Sequence, residues 1–158
     1  PQTGLTGFGQ GQVTATPLQI AMVAAGIANE GVVMNPRLVD TVIGNDLSVI
    51  RSYDDTQFGH ATDATIADQI TASMVASVSN GAAQGARIDG VDVAGKTGTT
   101  ENGNKPYTLW FTGFAPADDP EVAVAVLVED GGGQGQSGSG DTIAAPIAKK
   151  VIEAVLGR

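Results

Sequence analysis

The chain has 158 residues, 42% of them hydrophobic and only 4% aromatic, which suits one domain whose core is filled by Ala, Val and Ile. A net charge of −9, with eight Lys plus Arg and no basic run, argues against a nucleic-acid or anionic-membrane surface. Cysteine is absent, excluding disulfides and thiolate metal sites; the single histidine, His60, cannot build a metal site alone and reads as a loop residue, so neither metal nor cofactor is expected.

Residues 1–15, with Gly7-Phe8-Gly9-Gln10-Gly11-Gln12 at their centre, have loop composition. Thr16 and Pro17 open a helix, the first as cap and the second at a position where its missing N–H does no harm. Leu18, Ile20, Met22, Val23 and Ile27 make that helix apolar nearly all round, which predicts burial, and Gly31 can end it. Leu38–Ile43 and Leu47–Arg51 read as a hairpin about Gly44-Asn45-Asp46. Thr62 or Asp63 caps a second helix with Ile66, Ile70, Met74 and Val78 on one face, closed by Asn80-Gly81. Residues 81–90 read as a glycine-bearing linker. Three strand-like runs follow, 91–99, Tyr107–Ala115 and Glu121–Glu129, joined by Asn102-Gly103-Asn104 and Ala117-Asp118-Asp119-Pro120. Short turns predict a three-stranded antiparallel meander, and the apolar residues on both sides of the last strand predict that both faces are covered. Gly131–Gly140 reads as a mobile loop. Asp141 can cap a last helix with Ile143, Ile147, Val151 and Val155 as its apolar stripe, Pro146 either kinking it or delaying its start.

The chemistry concentrates in Val91-Asp92-Val93-Ala94-Gly95-Lys96-Thr97-Gly98-Thr99. Alternation predicts a strand; Gly95 and Gly98 let another backbone come close; Lys96, Thr97 and Thr99 add a cation and two hydroxyls. Such an edge could pair with a peptide and hold its carboxylate, although an ordinary strand ending in a Gly-Thr turn has the same letters. Two nucleotide motifs also match by letter. Gly90 through Thr97 fits GxxxxGK[ST], but the polar Gly85–Asp89 precedes it and Gly98, Gly103 and Pro106 follow, so neither the flanking strand nor the flanking helix of a phosphate-binding loop is there. Gly133-Gln134-Gly135-Gln136-Ser137-Gly138 fits GxGxxG, but the sequence continues into no second strand of a dinucleotide unit.

Lys96-Thr97-Gly98-Thr99 resembles the third motif of the penicillin-binding proteins and serine β-lactamases. Val93–Glu101 is similar to that family's third active-site strand, Trp110–Pro116 to the next and Val122–Glu129 to the last. Thr16-Pro17-Leu18-Gln19 with Ala28-Asn29-Glu30-Gly31 resembles the helix between its second and third motifs. The likeness runs over nearly the whole chain, nearest to class B penicillin-binding proteins of the actinobacterial A type. It implies an α/β (α+β) fold, an antiparallel sheet flanked by helices, with residues 1–158 as the C-terminal part of a transpeptidase domain. Neither Ser-x-x-Lys nor Ser-x-Asn occurs, and Ser77-Val78-Ser79-Asn80 does not fit their spacing. With its opening at Pro1 without Met, the sequence therefore reads as a piece of something longer, inactive alone.

The resemblance also implies roles. Lys96 and Thr99 would be catalytic, Thr99 through its backbone N–H in the oxyanion hole; Gly95, Thr97, Gly98 and Thr99 would bind substrate. The substrate would be a peptidoglycan stem peptide ending in D-Ala-D-Ala, laid along the strand as an added strand, with β-lactams as mimics. The N-terminal part of the domain, or another copy, would complete the sheet. No apolar run reaches the ~18 residues of a membrane span and no signal peptide is present. The implied location is the extracytoplasmic face of the bacterial membrane, with the anchor outside these residues. A peptide-binding module without chemistry is the alternative reading.

Overall fold

A computed structural model describes residues 2–7, 9–11 and 13–158. The centre is the meander that period-two alternation predicts: β5 (Ala94–Asn102), β6 (Lys105–Ala115) and β7 (Val122–Val128), antiparallel in the order β5-β6-β7. Register pairs Lys96 with Thr112, Thr97 with Phe111 and Thr99 with Leu109; Phe111 in turn faces Val126. Strand alternation then sorts the side chains. Gly95, Thr97, Thr99, Leu109, Phe111 and Val126 share one face. Ala94, Lys96, Gly98, Trp110, Thr112 and Phe114 share the other.

Helices cover both faces. The first is α2 (Pro17–Ala28), whose N-terminus is a capping box: Thr16 Oγ1 accepts from the Gln19 N–H while the Gln19 side chain accepts from the Thr16 N–H. It lies on β6 and β7, packing Ala24 with Phe114 and Ala123. The opposite face takes α4 (Ala145–Val155), whose Ala145, Ala148 and Ile152 share one buried cluster with Phe111 and with Ala144 just before the helix. The long α3 (Ala64–Asn80), capped by Asp63 on the Ile66 N–H, runs beside the start of β5 and serves both sides, Met74 joining the α2 cluster and Val78 the α4 cluster.

Several expectations change. Residues 1–15 contain a short helix, α1 (Gln2–Thr6), while Phe8 and Gln12 lie outside the described residues. Only Ala24 and Gly26 of α2 are buried; Leu18 and Val23 are more than half exposed, because the helix touches the sheet on one side only. The key strand starts at Ala94, not at residue 91, because Gly90 at φ 73° turns the chain and lets Val91 bridge back to Ile88. The presumed linker is core: Ala83, Ala86 and Ile88 are buried beside α4. His60 is not in a loop but in β4 (Gln57–His60), paired with β1 (Val32–Met34); neither short strand was foreseen. The hairpin is present as β2 (Thr41–Ile43) and β3 (Val49–Ser52), and both strands are exposed throughout. In its turn Asp46 accepts from the Ser48 hydroxyl and N–H, which holds its carboxyl below its usual pKa.

The last helix also differs. A π-helical turn, residues 140–144, leads into it, and Ser139 caps that turn by accepting from the Thr142 N–H, while α4 itself has no side-chain cap; Asp141 instead accepts the Gly85 N–H at 2.7 Å. Pro146 falls in the first turn of α4, so it delays the helix rather than kinking it. The buried face is Ala145, Ala148 and Ile152, while Ile147, Val151 and Val155 are exposed, because small side chains let the first turns of the helix lie close to the sheet. Gly131–Gly140 forms consecutive turns tied to the β5–β6 hairpin, Gln136 Nε2 donating to the Gly103 and Lys105 carbonyls.

Candidate functional site

Strand β5 has a strand neighbour on one side only, so its other edge faces outward among the described residues. In an antiparallel pair, backbone groups point toward and away from the partner at alternate residues. Gln10, which lies outside the sheet, donates its Nε2–H to the Thr99 carbonyl at 2.9 Å. Thr99 therefore directs its N–H and C=O outward, and by parity so does Thr97. These are the backbone groups an added strand would meet.

Side chains divide differently. Lys96 is exposed on the α2 face, and its Nζ curls over the edge to donate to the Thr97 carbonyl at 2.5 Å. It stands between two grooves. One, of about 500 Å³, runs between α2 and α3 and is lined chiefly by apolar groups such as Val23, Ile27, Ile70 and Met74. The other, of about 430 Å³, follows the outer edge of β5 and is lined by Gln10, Val13, Ile20, residues 96–100 and Trp110. Thr97 and Thr99 belong to the opposite face. The half-buried Thr97 hydroxyl donates to the Ala82 carbonyl at 3.0 Å, whereas the Thr99 side chain is exposed.

The two glycines do different things. A Cβ on Gly95 would lie 2.6 Å from Phe111 Cζ and 2.9 Å from Val78 Cγ2, so its bare backbone makes room for the core ring beneath it. A Cβ on Gly98 would meet only the Trp110 side chain, at 3.3 Å, on the groove side. All five residues singled out from the sequence thus lie on one strand, and all but Gly95 border the outer groove. Sequence reasoning passed over Gln10, whose signal was its place between Gly9 and Gly11, both at positive φ. Among the described residues no group of three or more His, Asp or Glu is placed to hold a metal ion, and no helix is long and apolar enough to cross a membrane.

Comparison with known proteins bears on the family of the chain. A peptidoglycan D,D-transpeptidase PbpA of Mycolicibacterium smegmatis is 46% identical over 157 residues, covering 97% of this chain and 32% of the relative. The M. tuberculosis penicillin-binding protein A, solved as a ceftriaxone acyl-enzyme, superposes with a TM-score of 0.91 at 43% identity, over 97% of this chain and 35% of that one. Its imipenem acyl-enzyme gives 0.86 at the same identity and covers 33% of that chain. The chain spans about a third of the length of the relatives it matches. The family model for the penicillin binding protein transpeptidase domain matches residues 2–153, and the chain belongs to that family.

Proposed function

We propose that the whole protein is a peptidoglycan D,D-transpeptidase and that residues 1–158 supply the C-terminal part of its catalytic domain. The observation that carries this reading is the outward edge of β5, with Lys96 beside it, in a chain of this family. A stem peptide ending in D-Ala-D-Ala adds along that edge, pairing with Thr97 and Thr99 while Gly98 keeps the groove side low. A serine outside these residues attacks the penultimate D-Ala carbonyl. The Thr99 N–H holds the developing oxyanion; the peptide C–N bond breaks and D-Ala leaves, taking a proton. An amine from a second stem peptide then attacks the ester and returns the serine. Lys96 supplies positive charge near the terminal carboxylate, Thr97 and Thr99 supply hydroxyls, and Gly95 keeps the strand seated on Phe111. β-Lactams present the same carbonyl and carboxylate and acylate the same serine.

Two further assignments rest on the same reading. The N-terminal part of the domain supplies the strand that pairs with β7, and a segment beyond these residues anchors the protein at the extracytoplasmic face of the membrane. The test is labelling of the full-length protein by a fluorescent penicillin. Lys96→Ala is expected to slow labelling by ~10²–10³-fold, the usual effect of removing one donor from such a site, with the melting temperature unchanged. Labelling at the parent rate would remove Lys96 from the site. A parent protein that takes no label would favour a peptide-binding module.

A further inference from the structure

The Gln10 side chain reaches 89 residues along the sequence to donate to Thr99 O, an outward carbonyl on the edge where the transpeptidase reading puts the substrate. Its backbone is held for this by the end of α1: the Gln10 N–H donates to the Leu5 carbonyl at 3.0 Å and the Gly9 N–H to that of Thr6 at 3.1 Å. Gly9 and Gly11, at φ 79° and 81°, turn the chain on both sides, so Gln10 projects from the crest of a tight turn into the groove. The bond itself is exposed to solvent.

An antiparallel strand added to this edge donates its own N–H to the outward carbonyl it meets. Gln10 makes that bond already. From this juxtaposition of the Gln10 amide with Thr99 O we infer that Gln10 is a specificity-determining residue. It fills the place of the incoming strand's N–H and yields only to ligands that bring one. A ligand with an N–H at that position exchanges one hydrogen bond for another and gains little. A ligand without one leaves Gln10 seated and meets no competition. The Thr99 N–H lies on the same edge and is not the atom Gln10 occupies, so the residue tunes ligand choice without blocking the oxyanion position.

The inference rests on the transpeptidase reading, and the two β-lactams seen on relatives separate them. Ceftriaxone carries an acylamino N–H beside its reactive ring, and imipenem carries a hydroxyethyl group there instead. The measurement is the second-order acylation constant of the full-length protein for each drug, in the parent, in Gln10→Ala and in Gln10→Met, which keeps side-chain length without a donor. Both variants are expected to raise the ceftriaxone-to-imipenem ratio by about 2- to 10-fold, the ordinary worth of one exchanged hydrogen bond. A change of both constants by a common factor, including no change, means that Gln10 merely supports the strand and overturns the proposal. A fall in the ratio means that Gln10 recruits the ligand, and overturns it equally. A parent protein acylated by neither drug overturns the transpeptidase reading, and the inference with it. Should Gln10→Ala not fold, Gln10→Met decides alone.

Discussion

Gly95 shows how one residue's role depends on what lies beneath it. By sequence it is a bare backbone position beside a cation; in the fold it is buried, and the space its side chain would take holds the Phe111 ring and a Val78 methyl. Gly95→Ala would set a methyl at 2.6 Å from Phe111 Cζ and 2.8 Å from Cε2, well inside van der Waals contact. Such overpacking typically destabilises by ~1–3 kcal/mol. The expected result is a lower denaturant midpoint for the full-length variant with an unchanged m-value, and a midpoint equal to the parent's would mean that the ring moves aside freely. Thr97 makes the complementary case. Its hydroxyl is engaged by Ala82 O, so a carboxylate reaching Thr97 must compete with a carbonyl from the 81–86 turns.

At the scale of elements, caps decide where the helices start and small residues decide how closely they pack. Thr16 and Gln19 satisfy each other's backbone N–H groups at the head of α2, the helix that lays Ala24 on the sheet. Thr16→Ala removes the side-chain acceptor and is expected to cost about 1 kcal/mol, read as a lower melting temperature of the full-length protein. A Thr16→Ser variant keeps the acceptor and should melt near the parent. If serine and alanine lower the melting temperature alike, the methyl rather than the cap is what matters. In α4, Ala145 and Ala148 lie in the buried cluster with Phe111, and the larger Ile147 and Val151 turn to solvent. A periodic stripe of branched residues therefore misidentified the buried face, because periodicity registers size and hydrophobicity but not how near the partner surface is.

For the whole molecule, the outer edge of β7 and the exposed flank of α2 matter together. Strand β7 reads apolar along its length, its residues are all part-buried, and its only strand neighbour among the described residues is β6. Beside it α2 exposes Leu18 and Val23. An unpaired apolar edge next to exposed large side chains is a template for association. Residues 1–158 expressed alone are expected to sediment as a species heavier than the 15.9 kDa monomer, and to form a one-to-one complex when the rest of the domain is supplied. A monodisperse monomer at tens of micromolar that ignores the rest of the domain would count against the assignment of the β7 edge. The sequence by itself determined what depends on neighbours along the chain. Alternation gave the three strands, Asn102-Gly103-Asn104 gave their turn, Thr16 and Asp63 gave the caps, and Lys96-Thr97-Gly98-Thr99 in its frame pointed to the family. Only the tertiary structure decided which faces are buried, that Gly95 serves Phe111, that Ala83, Ala86 and Ile88 belong to the core, and that Gln10 meets Thr99. Each of those depends on the distance between atoms far apart in sequence, and local propensity carries no information about which distant surfaces will meet.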